Sequence, residues 1–268
     1  MNENFFVHTI GFNEYITGNK FIDICERTGA TFSKIDNLAE FGSQTPKVFV
    51  THNGDYPINE QRFNLAPHHY DCWLAQNKGI DNEKVIGIPI GLENMRLRTS
   101  LAARGGAFSS QIEGALKKAT IINKYNHFHL KKKGLVYMNF NVHTYRSERE
   151  PLWKKFIDKD WVTTTQSLPM QKFYFEMATH KFIFSPRGNG VDCHRTWEAL
   201  YSKTIPIVRK STCMNEFKEL PILFVDSWDE VTLPFLNEKY EEMSNTLYNL
   251  DKIKISYWEK VINEKLSS

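Results

Sequence analysis

The stretch Phe184–Val208, FSPRGNGVDCHRTWEALYSKTIPIV, concentrates groups that can hold an anion. It reads as a strand, a glycine-rich turn, a helix and a second strand. Pro186 ends the first strand because it has no N–H to give to a ladder. Gly188 and Gly190, on either side of Asn189, permit positive φ and let a ligand approach the backbone. Arg187 adds a planar, permanently charged fork matched to phosphate oxygens. The helix is expected to start near Asp192, a good N-cap. Its N-terminus offers unpaired N–H groups and partial positive charge, which suit a phosphate. His194 and Glu198 lie four residues apart, and Arg195 and Glu198 three apart, so the three can share one helix face. Trp197 and Tyr201 form another face, turned to the core. The chemistry suggested is recognition of a nucleoside diphosphate. Arg187, Gly188, Asn189 and Gly190 would meet the phosphates, with His194 and Arg195 beside them, and Glu198 would accept from ribose hydroxyls.

The elements that must position this turn are legible as two successive α/β sets. In the first, residues 5–11, 31–35, 47–57, 70–77 and 84–94 read as strands, and 20–29 as a helix closed by Gly29 in the manner of a C-cap. A basic, glycine-interrupted stretch follows, with one amphipathic helix near 110–124. In the second set, strands are expected at 134–141, 161–166, 181–186, 204–210 and 222–231. Helices are expected at 146–159, 169–180 and 191–203, and the tail reads as helical, including 255–266. Strands alternating with helices predict an α/β fold of two Rossmann-like lobes facing a cleft. The boundaries expected are 1–125, 126–250 and a C-terminal helix, 251–268, that packs back on the first lobe. In open parallel sheets a ligand sits beyond the carboxyl ends of the strands. Asn139, Asn141, Arg146 and Arg149, which follow the first strand of the second lobe, are therefore secondary candidates for the same site.

Bulk properties narrow the partners. The chain has 268 residues, 41% hydrophobic and 24% charged, with 34 basic against 31 acidic residues and a net charge of +3. That balance gives no bulk attraction to nucleic acid, so an anion site must be local. The four cysteines, Cys25, Cys72, Cys193 and Cys213, form no C-x-x-C pair, so zinc-ribbon and thioredoxin-like readings fail. His68 and His69, adjacent on an expected strand, point to opposite faces and make no metal pair. The N-terminal residues lack the pattern of a signal peptide, and no run approaches the ~18 apolar residues of a membrane span. The expectation is a cytoplasmic protein with free thiols and no membrane span.

The segment HKFIFSPRGNGVDCHRTWEALYSKTIPIV, followed by LPILFVDSWDEV, resembles the donor-binding segment of exostosin-like glycosyltransferases. The pieces VFVTHNGDY, KVIGIPIGLEN and LVYMNFN resemble short members of that group, including ones encoded by large DNA viruses. The specific match covers about residues 180–232, and the weaker pieces extend it over most of 47–232. The resemblance implies a two-lobed GT-B fold, and since the chain is short for that fold it implies a reduced first, acceptor-side lobe. It also implies transfer of a sugar from a nucleotide sugar, UDP-linked by family habit, to a glycan or glycoprotein hydroxyl, with inversion. No metal or other cofactor is implied. Absence of a persuasive D-x-D motif agrees, since arginine and helix dipoles can neutralise a leaving diphosphate.

Inverting transfer needs a group that takes the acceptor proton. The loop after KVFVTHNGDY supplies Asp55 as the leading candidate and His52 as the alternative, with Asn53 positioned to hold an acceptor hydroxyl. Glu93 is a third candidate. Two other readings compete. An NAD-type dehydrogenase fits the strand–GNGVDC–helix arrangement less well, because Cys193 stands where that fingerprint has Gly or Ala. A non-catalytic sugar- or nucleotide-binding module would keep the donor site without the chemistry.

Overall fold

A computed structural model describes residues 10–41, 45–67, 69–92 and 111–268. Glu93, His68 and most of the expected strand 5–11 lie outside the described residues. The first sheet contains β1 (Thr31–Lys34), β2 (Val48–His52), β3 (Cys72–Gln76) and β4 (Val85–Ile88). These strands are parallel and lie in the order β1-β2-β3-β4. Every residue of β2 and β3 is buried, the pattern of parallel strands covered on both faces. Helix α1 (Gly18–Thr28) leads into β1, capped by the Thr17 hydroxyl and stopped by Gly29 at φ 84. Its Phe21, Ile24 and Cys25 are buried, as their spacing predicts.

The second sheet contains β5 (Gly134–Met138), β6 (Val162–Thr164), β7 (His180–Phe184), β8 (Ile205–Arg209) and β9 (Leu223–Val225). All pair in parallel, in the order β6-β5-β7-β8-β9. Helices α4 (Arg146–Phe156), α5 (Met170–Thr179) and α6 (His194–Tyr201) make the crossovers. The chain leaves β5 for one edge and returns past it to β7. Such a reversal opens a crevice between the carboxyl ends of the two flanking strands. The loops that meet there are 139–145, after β5, and 185–193, after β7.

Between the sheets in sequence runs α3 (Gln111–His127). It packs on α5, with the Tyr125 and Phe175 rings 5.7 Å apart. The short helices α2 (Glu60–Phe63) and α7 (Thr212–Asn215) follow β2 and β8, and at the far end of the chain α8 (Leu233–Ser244) precedes α9 (Ile255–Ser267). Helix α9 lies against α1 and β2. It is tied there by Arg27–Glu259 at 2.7 Å and by the Ser256 hydroxyl donating to Glu14 at 2.6 Å. One hydrophobic core runs through both sheets, and a smaller cluster gathers Ile35, Phe49 and Trp73. Among the described residues no helix is long and apolar enough to cross a membrane. The cysteines are free thiols, buried except for half-buried Cys193.

Several element ends differ from the sequence expectation. The strand expected over 47–57 stops at His52, because Asn53 at φ 63 turns the chain. Helix α6 begins at His194, with Cys193 rather than Asp192 in the N-cap position. Neither Gly188 nor Gly190 has positive φ; among the described glycines that conformation belongs to Gly29 and Gly91.

Candidate functional site

Arg149 joins the two loops at the switch point. Its Nη1 donates to Asn141 O at 2.9 Å, and its Nε donates to Arg187 O at 2.8 Å. Asn141 in turn caps the short helix that follows it by accepting from His143 N at 2.9 Å. Asn139 donates to Thr165 Oγ1 at 2.8 Å, which fixes it beside β6. Two guanidiniums share the Phe140 ring, Arg149 at 5.6 Å and Arg195 at 5.9 Å from its centroid. Burial pushes the Arg149 guanidinium down to about 10, and the Arg195 charge adds to the effect. Like charges so held make the crevice electropositive.

Beside the crevice a pocket of about 230 Å³ lies at the carboxyl ends of β7 and β8. It is lined by Arg187, Arg209, Lys210, Glu148 and the hydroxyl residues Ser185 and Ser211, among others. Drug-sized ligand pockets begin at roughly 300 Å³. This one suits part of a ligand, such as a diphosphate. The Arg187 guanidinium stacks 4.2 Å over the Tyr145 ring, and its Nη2 donates to Asn189 O at 2.8 Å. The turn is thereby pre-shaped around its own arginine. Lys210 pairs with Asp226 at 2.6 Å on the pocket's outer side. Arg209, Lys210 and Glu148 were not singled out from the sequence. A signal existed for the first two, since they follow a strand just as Arg187 does.

The same turn docks on the first sheet's loops. Asp192 Oδ2 accepts from Ile90 N at 2.6 Å, and Asp192 N donates to Asn77 Oδ1 at 2.8 Å. His194 Nδ1 lies 2.7 Å from Gly91 O. Asn189 Nδ2 donates to Asp55 Oδ2 at 3.3 Å, so the exposed Asp55 carboxylate reaches the turn from the opposite lobe. A Cβ on Gly190 would stand 2.9 Å from Asn77 Nδ2 and 3.1 Å from Asp55 O. Close approach, here of the other lobe, is what this glycine serves.

Other expected site residues are placed elsewhere. Glu198 is 0% exposed and forms an ion pair with Lys118 at 3.0 Å, while the Tyr174 hydroxyl donates to it at 2.9 Å. That geometry puts its carboxylate in the core, out of reach of a ribose. His52 is likewise fully buried, its ring nitrogens 3.1 Å from Asn53 Oδ1 and 3.1 Å from Pro89 O. Burial pushes it down to about 4, so it is neutral near pH 7, but an acceptor hydroxyl has no path to it. Asn53 is buried with its side chain against Gly18, where a Cβ would come within 1.9 Å of Oδ1. It therefore faces inward rather than toward an acceptor. Arg146 is exposed and paired with Glu150 at 2.5 Å, and it does not line the pocket. Asp192 acts as a seam between lobes, with its other oxygen accepting from Trp197 Nε1 at 2.7 Å. Among the described residues, no three His, Cys, Asp or Glu side chains gather as a metal site.

No protein-family model matches the chain, and no curated protein matches its sequence. Solved structures do resemble it. An α1,3-fucosyltransferase shares 15% identity at a TM-score of 0.47, over 85% of this chain and 73% of that one. An α1,3-fucosyltransferase with GDP-fucose gives 13% and 0.44, over 84% and 78%. AviGT4, a glycosyltransferase involved in avilamycin A biosynthesis, gives 10% and 0.40, over 95% and 92%.

Proposed function

We propose that the protein is a glycosyltransferase that moves a sugar from a nucleoside-diphosphate donor to an acceptor hydroxyl, with inversion. The observation that carries this reading is the convergence of Arg187, Arg209 and Lys210 in one pocket at the strand ends, with Asp55 of the opposite lobe against the same turn. The resemblance of residues 180–232 to exostosin-like enzymes supports it and favours a UDP-sugar donor. In the reaction proposed, Asp55 takes the proton from the acceptor hydroxyl. The oxygen bonds to the anomeric carbon as the bond from that carbon to the diphosphate breaks. The electron pair leaves on the phosphate oxygen, where the three cations stabilise the developing charge without need of a bound metal. Charge-assisted contacts of this kind contribute about 1.5–3 kcal/mol each.

A thermal-shift screen against nucleotide sugars tests the reading. A donor at 100 times its Kd adds about 2.7 kcal/mol of stability. The expected outcome is a shift with one donor class, lost in Arg187→Ala. Asp55→Asn should keep the shift and lose about 10²-fold or more of the transfer rate. A panel without any shift would overturn the proposal.

A further inference from the structure

Among the described residues, Glu148 is the only carboxylate lining the pocket of Arg187, Arg209 and Lys210. It sits half-buried in the first turn of α4. The charges of Arg209 and Arg187, the Arg187 backbone amide and the Arg149 charge of its own helix all pull its pKa down. Burial outweighs them and holds it above the usual carboxylate range. It thus shares the pocket with Arg187 and Arg209, which an incoming anion would also face, while Lys210 is paired with Asp226 at 2.6 Å.

We propose that Glu148 is the resident counter-ion of the pocket, and that a diphosphate entering it takes over the cations and draws a proton from solvent onto the Glu148 carboxyl. The role rests on the nucleotide-sugar reading for its biological ligand, though the pocket chemistry requires only a diphosphate. It has a consequence for turnover. A nucleotide sugar carries its phosphate charge as a diester. Breaking the sugar–phosphate bond exposes a terminal phosphate that ionises further, with a pKa near 6. Holding that more highly charged product demands protonation of Glu148 more than holding the substrate does, and the cost of that proton uptake at neutral pH favours release.

Isothermal titration with inorganic pyrophosphate, UDP and GDP, on the full chain and on Glu148→Gln, tests this. Removing one like charge across a pocket of this size should tighten pyrophosphate binding by about tenfold at pH 7.5. The gain should shrink toward pH 5.5, where the wild-type carboxyl is more readily protonated. Titrations in buffers of different ionisation enthalpy should show proton uptake by the wild type beyond that of the variant, a readout that needs no comparison of stabilities. Unchanged or weaker pyrophosphate binding in Glu148→Gln overturns the role. Weaker binding of UDP or GDP alone also overturns it, by placing the carboxylate on the ribose. If pyrophosphate behaves as expected while no nucleotide sugar binds, the counter-ion stands and the transferase reading falls. If nucleotide sugars bind while pyrophosphate shows no gain in the variant, the transferase reading stands and this role falls. Binding of neither removes both.

Discussion

Glu198 and Glu148 are glutamates on helices that follow strands of the same sheet, yet one lies in the core and the other in a pocket. Glu198 meets Lys118 of α3 and the Tyr174 hydroxyl with no exposure to solvent. Removing one member of a buried ion pair leaves the other charge uncompensated, at a cost of about 3–5 kcal/mol. Glu198→Ala is therefore expected to lower the unfolding free energy by about that amount, read from urea denaturation. A loss within the ~0.5 kcal/mol typical of surface substitutions would show that the pair does not hold the fold. The spacing of His194, Arg195 and Glu198 predicts a shared helix face but not the direction in which it points. That direction is set by Lys118, far away in sequence on α3. The placement of Arg187 and Asp55 at strand ends was legible for the opposite reason. Each follows a buried strand directly, so chain order alone puts it at the carboxyl edge of a sheet.

The glycine turn poses the same question for an element. Sequence reasoning assigned both glycines to positive φ and to close approach of a ligand, whereas the structure separates them by what lies next to each. A Cβ on Gly188 has Arg149 Nη2 as its nearest neighbour at 3.6 Å, an ordinary contact. A Cβ on Gly190 would meet Asn77 and the Asp55 carbonyl at 2.9 and 3.1 Å, and the carbonyl belongs to backbone. Gly190→Ala should therefore push the turn off the first lobe and cost about 1–3 kcal/mol, as overpacking does. Gly188→Ala should stay within about 0.5 kcal/mol. Equal losses in thermal unfolding would contradict this division. Strand identity was readable because continuous apolar runs mark strands covered on both faces. Strand ends were not. Asn53 leaves β2 early because its side chain tucks between Gly18 and His52, a tertiary contact without local signature. Asp192 has the composition of an N-cap but spends its oxygens on Ile90 N and Trp197 Nε1.

Across the whole molecule, two buried ionisable groups grip successive residues of one first-lobe segment, His52 from within that lobe and Asp192 from across the seam between the lobes. His52 lies against Pro89 O, and Asp192 accepts from Ile90 N. Their effects on stability have opposite signs. Burial pushes Asp192 up from 3.8 to about 6. Its contribution is fully present below pH 3.8 and is lost as pH rises through about 6. Burial pushes His52 down from 6.5 to about 4. Its contribution is fully present above pH 6.5 and is lost as pH falls through about 4. Each window spans a little over two pH units, worth about 3 kcal/mol at ~1.4 kcal/mol per unit. Between pH 4 and 6 the two slopes offset one another. Relative to the wild type, Asp192→Asn should leave the histidine uncompensated and make stability fall more steeply from pH 6.5 to 4. His52→Gln should leave the aspartate uncompensated and make stability rise on acidification over the same range. Urea unfolding of the three proteins across that range reads both slopes directly. Parallel profiles would show that neither group titrates with the fold.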